Sequence, residues 1–429
     1  MRVNIGDVAR LKNGSVVELY AWVNSVRTHK SAVFVDILDR SGEIQLIVTP
    51  KSNCYNVASK LKKGSSVYVE AEVLEESDGG VNLEVKQLRV VGDFERIMSP
   101  HPFDKFDIFN EKYATLVSRN RHLYIRNPRI REVVVFRYNL LKDVRNFLDE
   151  RGFVEVHVPT ITELTLYDTR SAFSVDFFGH TAYLSQCSAY YLESLVCPLE
   201  RVYSILPTFR AEKGRSPRHL AEYWHLKCEI AFMNLDEIIS FTEKMIYDIF
   251  CSMRKISRSM VAKEVYPPFS RITYREALSI LNSSVSGVTK PFGNSLNPPE
   301  TEIISRSLGD KNPFWIVYPP RNIEPFHYRV NPNDPETVMV ADLIAPSGYG
   351  EILGVAEKIH EYPELQARME EKGVDLERYE WYVELTKCGA VPHSGLGMGI
   401  ERLIRWMMGL RHVRDAILFP REYRKRPRP

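Results

Sequence analysis

From its start to about residue 93, the chain alternates apolar and polar side chains in five runs, and no other feature constrains the fold as strongly. The runs are SVVELYAWV, SAVFVDILDR, GEIQLIVT, SSVYVEAEVLE and VNLEVKQLRVV, separated by Gly, Ser and Asp turns, with a helical insert at SNCYNVASKLKK. Successive side chains of a strand point to opposite faces, so each run wants one buried face and one wet face. Five such strands around a helix predict an OB-fold β-barrel over residues 1–95, a scaffold that often binds single-stranded nucleic acid. A barrel with a purely structural role fits the same pattern.

Residues 96–128 read as a linker; its stretch RIMSPHPFDKFDIFNEKYAT carries two prolines. Val133, Val134, Phe136, Leu140, Leu141, Val144, Phe147 and Leu148 recur at helical spacing and predict an amphipathic helix over 129–151, stopped by Gly152. The strands FVEVHVPTIT, AYLSQ, RVYSILPTFRAE, HLKCEIAFM, FWIVYPP and GEILGVAEKIH follow, with helices over 235–256 and 274–282. The fold class is therefore α+β, a mostly antiparallel sheet with flanking helices over 129–429. A hydrophobic fraction of 44% and a charged fraction of 26% are those of an ordinary globular protein. The net charge of +2 conceals basic runs, RNRHLYIRNPRIRE and PREYRKRPRP, which are either solvated faces or contacts for a polyanion. Six cysteines without a CxxC pair argue against a zinc site or a disulfide framework and fit a reducing compartment. With no long apolar stretch, a cytoplasmic protein without membrane contact is expected.

The chemistry concentrates in FRAEKGRSPRHLAEYW, residues 209–224, where Arg210, Lys213, Arg215, Arg218 and His219 surround two glutamates. Arg210 and Glu212 sit two apart on a strand end and share a face. An arginine offers a bidentate fork for phosphate oxygens. Glu212 suits an exocyclic amine, Arg218 and His219 suit distal phosphates, and Tyr223 suits stacking on a base. In GLGMGIERL, Gly395, Gly397 and Gly399 precede a helix carrying Arg402. They let backbone approach a ligand closely, or else pack a turn onto the sheet. Asp342 and Glu351 in VADLIAPSGYGEIL are candidate Mg2+ ligands between nucleotide phosphates.

RGFVEVHVPTIT, FRAE…RHLAEYWHLKCE and GLGMGIERL resemble, in that order, the three signature motifs of class II aminoacyl-tRNA synthetases. With the N-terminal barrel, the chain is similar to the aspartyl/asparaginyl branch. The wording of TFRAEK…RHLAEYWHL, APSGYGEI and VPHSGLGMGIERL most resembles archaeal-type asparaginyl-tRNA synthetases. The resemblance implies an antiparallel catalytic sheet and a homodimer formed through residues 129–162. It also implies activation of an amino acid, asparagine first, by ATP and Mg2+, and transfer to tRNA-Asn. Arg210, His219 and Arg402 are the implied catalytic residues. The implied ATP set adds Glu212, Arg218, Leu220, Tyr223, Glu351, Gly399, Ile400 and Glu401, with Asp342 and Glu351 holding the metal. In the barrel, Phe34 and Gln45 stand where the family stacks on and reads the central anticodon uridine. Arg27 would meet the tRNA backbone, and Ser25 replaces an expected arginine.

The amino-acid pocket departs from that family. The mobile loop of the T-E-G-G-A-E-L-F kind reads LYDTRSAF, with Tyr167 at the glutamate that receives the α-ammonium and Asp168 and Thr169 at the glycines. Q-S-A-Q-L-Y-L-E becomes QCSAYYLE: Gln186 and Glu193 are kept, and the second glutamine is Ala189 beside Tyr190. The arginine that follows the metal glutamate by seven residues is Lys358, preceded by Val355 and Ala356 where Gly-Ser is expected. Gly354 and His393 complete the expected pocket. Glu193 favours an amide side chain over a carboxylate. Three functions remain open: an asparaginyl-tRNA synthetase with a rebuilt pocket; a paralogue with an intact ATP site that uses another acid or acts as an asparagine synthetase-like ligase; and a non-catalytic tRNA- or nucleotide-binding protein.

Overall fold

The alternation of the first segment closes into a barrel of β1 (Val16–Thr28), β2 (Val33–Leu38), β3 (Glu43–Val48), β4 (Ser66–Glu75) and β5 (Val81–Gly92), in the order β1-β2-β3-β5-β4. Val17, Leu19, Ala21 and Val23 of β1 face inward against Val33, Val35 and Ile37 of β2. The helical insert is one turn, Tyr55–Ala58, and a further turn at Ile5–Val8 adds Ile5 and Val8 to the barrel core. The computed structural model describes residues 2–75, 80–166, 169–213, 216–256, 261, 264–284, 289–423 and 425–426.

The chain divides into two compact units, 1–108 with 123–128, and 109–122 with 129–429. The stretch expected to be a linker is thus shared. Tyr124 donates to the Pro100 carbonyl at 2.9 Å and Asn127 to the Pro102 carbonyl at 3.0 Å, which pins 123–128 to the barrel unit.

The larger unit is built on an eight-stranded sheet. Its strands in chain order are β6 (Val154–Glu155), β10 (Arg201–Phe209), β11 (Glu222–Ala231), β12 (Ser270–Thr273), β13 (Phe314–Val317), β14 (Val340–Ala345), β15 (Gly350–Glu357) and β16 (His393–Gly399). They lie in the order β12-β13-β14-β15-β16-β11-β10-β6, antiparallel except at the two ends. β7 (Ile161–Thr162), β8 (Ser174–Phe177) and β9 (His180–Leu184) form a separate small sheet. FVEVHVPTIT is therefore two short strands in different sheets. The helix Pro128–Asp149 buries Val133, Phe136, Leu140, Val144 and Phe147, the stripe its spacing predicts, and the helix Leu235–Ile256 packs into the same core. Leu226, Cys228 and Ile230 of β11 face that core, so Tyr223, His225, Lys227 and Glu229 face the opposite side.

Among the described residues, four helices of eight residues or more lie where no helix is predicted: Ala189–Leu199, Pro298–Ser307, Tyr362–Lys372 and Glu380–Lys387. One begins with a capping box, Asn297 with Glu300, followed by proline at its first turn. No helix among the described residues is long and apolar enough to cross a membrane.

Candidate active site

The hairpin between β10 and β11 is closed by Arg210 N–H donating to the Ala221 carbonyl at 2.9 Å. Beyond it, Arg210, Arg218, His219, Leu220, Tyr223, Glu351 and Arg402 line one cavity, together with His225 and the backbone at Gly397 and Gly399. Arg210 and Glu212 do share a face, with their side chains 3.3 Å apart, and the Arg210 guanidinium lies 5.9 Å from the Tyr223 ring. Arg218 passes directly over Gly350: a Cβ there would fall 1.4 Å from its Nη1, and Gly350 has φ +71°. Burial, reinforced by Arg402, pushes the Arg218 pKa down to about 10. Burial and Arg402 also lower that of His219. Arg402 pairs with Glu351 at 2.9 Å, and this partner, helped by Arg210 and Arg218, holds the Glu351 carboxyl below the usual range. A cluster of cations whose carboxylates, Glu351 and Glu401, are each paired with an arginine is a receptor for polyphosphate.

Of the remaining expected ATP residues, Glu401 also lines the cavity and Ile400 does not. Ile400 is fully buried in the core. Glu401 accepts from Arg137 at 2.6 Å and from the Trp224 N–H at 3.0 Å, tying the helix Ile400–Met407 to β11 and to the helix Pro128–Asp149. The glycine stretch has a further role beside lining the cavity. Gly395 and Gly397 belong to β16, ahead of that helix, and the room they leave is filled by side chains of β11. A Cβ at Gly395 would fall 2.3 Å from the Glu229 carboxylate, and one at Gly397 would fall 3.0 Å from His225 Nε2 and 3.1 Å from Lys227 Cδ.

Asp342 and Glu351 come together with a third carboxylate that the sequence did not point to, Glu324. Burial and then Glu351 raise the Glu324 pKa to about 7. Burial, Glu351 and Glu324 together raise that of Asp342 well above the ordinary value. Carboxylates that hold protons because they crowd one another form an oxygen donor set suited to a hard divalent cation. Gly354, expected in the amino-acid pocket, instead lies beneath Asp342: its Cβ would fall 2.9 Å from Oδ1. The two residues are paired across β14 and β15.

The remaining pocket residues surround Lys358, which has no exposed surface. Its Nζ is 3.0 Å from Glu193 and 3.6 Å from Glu229, and lies 4.8 Å from the Tyr328 ring. Burial opposes the Glu193 charge, but Lys358 and the imidazole of His393, 3.6 Å away, hold its carboxyl well below the usual range. Tyr382 donates to the second Glu193 oxygen. Burial raises the Glu229 pKa despite Lys358. Glu193, Glu229 and His393 converge closely enough to hold a cation, and the Lys358 ammonium is the charge bound between the two carboxylates. Gln186 accepts from Leu166 N–H at 3.0 Å and donates to Ser171 Oγ at 2.9 Å, so its amide fastens the neighbouring loop. Ala189 starts the helix Ala189–Leu199, and Tyr190 is buried, stacked on Phe326 at 5.9 Å and edge-on to Tyr382 at 5.1 Å. Tyr167 and Asp168 lie outside the described residues. Lys227 and Glu229, which the sequence did not single out, could have been found from alternation along β11, two and four residues beyond His225. Tyr382 and Glu324 carried no such signal.

On the barrel, Phe34 and Asp36 share the outward face of β2. Asp36 gathers Gln45 Nε2 at 2.9 Å, Arg27 Nη2 at 3.0 Å and the Ser25 hydroxyl. Burial works against its charge, and these donors outweigh it and lower its pKa. Phe34 meets His29 edge-on at 5.7 Å. Arg27, Phe34 and Gln45 thus form one patch, organised by an aspartate that the sequence reading did not single out.

Residues 114–423 match the family of class II tRNA synthetases (D, K and N), and residues 17–91 match the OB-fold nucleic acid binding domain. The asparagine–tRNA ligase of Pyrococcus abyssi is 35% identical over 97% of this chain and 96% of its own length. That of Thermoplasma acidophilum is 34% identical over 96% of each. The crystal structure of asparaginyl-tRNA synthetase from Pyrococcus horikoshii complexed with asparaginyl-adenylate superimposes with a TM-score of 0.91, at 33% identity and 99% coverage of both chains.

Proposed function

The chain belongs to the class II tRNA synthetases of the D, K and N group, and from that premise we propose that it activates asparagine with ATP and transfers it to tRNA-Asn. One observation carries the reading: a cationic cavity of Arg210, Arg218, His219 and Arg402 lies on the face of β11 that also carries Glu229, and Lys358 joins Glu229 to Glu193 of the helix Ala189–Leu199. The ligand of the related Pyrococcus horikoshii protein, asparaginyl-adenylate, combines the two groups that such a face would seat. ATP enters the cavity with Tyr223 against the base and with Arg218, His219 and Arg402 on the distal phosphates. Arg210 stabilises charge developing on the α-phosphate as the amino-acid carboxylate attacks. The protein forms no covalent bond; positioning and electrostatics supply the acceleration. Asp342, Glu351 and Glu324 suit magnesium, which when bound would neutralise phosphate charge. Glu193, its charge fixed by Lys358, accepts from the asparagine amide and repels an aspartate side chain.

The barrel presents Phe34 for stacking on an anticodon base, with Gln45 and Arg27 beside it. Val135, Tyr138, Val154 and Ile161 are exposed apolar side chains on the segment expected to dimerise, which supports a homodimer through that face. The enzyme would act in the cytoplasm, with its tRNA.

A second reading, activation of a different acid by the same ATP site, is favoured by the internal pairing of Lys358 and Gln186. Charging separates the two. Incubation with radiolabelled asparagine and an in vitro tRNA-Asn transcript should give acid-precipitable counts. Phe34→Ala should raise the tRNA KM about 5- to 100-fold, the loss of one stacked base. Charging only by another amino acid would select the second reading.

A further inference from the structure

The face of β11 toward the site carries Tyr223, His225, Lys227 and Glu229 in succession. Tyr223 and His225 line the nucleotide cavity, and Glu229 lies 3.6 Å from Lys358. A reaction that joins an acid's carboxylate to an α-phosphate must occur between these two regions, and Lys227 stands there. It is paired across the sheet with Gly397, which pairs in turn with Gly354. The lysine chain lies along Gly397, and the next position in the row has no side chain to meet its ammonium.

Five cations are buried among the described residues: Arg121, Lys227, Lys358, Arg368 and Arg405. Four have partners: Arg121 the carbonyls of Leu418 and Ile417, Lys358 two carboxylates, Arg368 Glu371, and Arg405 the carbonyls of Arg411 and Tyr349. Lys227, 6% exposed, has neither a side-chain hydrogen bond nor an ion pair among the described residues. Its charge works against the rise in the pKa of Glu229, two residues on along the same face, but no carboxylate pairs with it. A buried charge without a paired counter-ion is costly, so its ammonium is open to an anion.

We propose that Lys227 is a catalytic residue that holds an anionic oxygen of the reacting pair, on the acid's carboxylate or on the α-phosphate, where the two meet. This rests on the adenylate-forming reading above. In the step it serves, a carboxylate oxygen forms a bond to the α-phosphorus. The bond from that phosphorus to the bridging oxygen breaks, and pyrophosphate leaves with the electron pair. No proton needs to move in this step.

The test uses Lys227→Met in the full chain and four probes in calorimetric binding: AMP against adenosine, and asparagine against asparaginol, in which an alcohol replaces the carboxylate. Wild-type protein should prefer the anionic member of each pair. Lys227→Met should cut that preference about tenfold in one of them, as loss of one charge-assisted contact does, leaving the share that Arg210 contributes. Loss in the AMP pair assigns the oxygen to phosphate, and loss in the asparagine pair assigns it to carboxylate. If neither preference changes, the proposal is overturned. Thermal melting without ligand is a second readout. Methionine in place of an unpartnered ammonium should leave the midpoint unchanged or raise it. A fall of more than about 5 °C, or failure to fold, would reveal a structural counter-ion and overturn the proposal. Wild-type protein that catalyses no asparagine-dependent exchange would remove the asparagine reading, while the AMP comparison still decides the role of Lys227.

Discussion

At position 358 a lysine with no exposed surface lies 3.0 Å from Glu193 and 3.6 Å from Glu229. Its removal would leave buried carboxylates without compensation, which costs about 3–5 kcal/mol. Lys358→Met should therefore lower the urea midpoint strongly, and Glu193→Gln in the same chain should restore part of the loss. Equal midpoints for wild type and the single variant would contradict the pairing. Arg210→Ala removes an arginine whose partner, Glu212, is exposed rather than buried, and should change the midpoint far less while reducing kcat for adenylation by about 100- to 1000-fold. Sequence reading found Glu193 and Lys358 separately but not their contact, because they are 165 residues apart. Glu324 stayed hidden because it lies on irregular backbone between strands, where no periodicity marks a side chain that turns inward.

At the scale of elements, β11 and β16 show how small residues on one strand make room for functional residues on the next. The sequence made the glycines conspicuous and suggested close approach of a ligand. The register gives the space over Gly395 and Gly397 to Glu229, His225 and Lys227, while the backbone at Gly397 and Gly399 also lines the cavity. Gly350 is the most demanding position, since it combines a positive φ with the Arg218 guanidinium overhead. Gly350→Ala should displace that arginine, weaken ATP binding tenfold or more on the order of one lost charge-assisted contact, and cost about 1–3 kcal/mol in strain. ATP titration by calorimetry checks the first effect and urea unfolding the second. Long periodic elements such as the helices Pro128–Asp149 and Leu235–Ile256 were legible in advance. The helix Ala189–Leu199 was not, because a buried helix with Pro198 inside it has no polar face to set a period.

At the scale of the whole molecule, the small net charge hides a site in which cations and carboxylates are separated into neighbouring clusters. Burial and Glu351 raise Glu324 from 4.5 to about 7. The folded protein thus holds more protons than the unfolded chain between those values, and its stability falls as pH rises through that window. Thermal midpoints in metal-free buffer should decline from pH 5 to pH 7.5. Glu324→Gln should flatten the slope, and millimolar Mg2+ should do the same by replacing the protons. A wild-type slope unaffected by either would contradict the carboxylate cluster. The central claim is tested most directly by ATP–pyrophosphate exchange with each of the twenty amino acids, with Arg210→Ala as the blank. Exchange that depends on asparagine and is lost in the variant is the predicted result. Exchange supported by a different amino acid, or by none while ATP still binds, would contradict it.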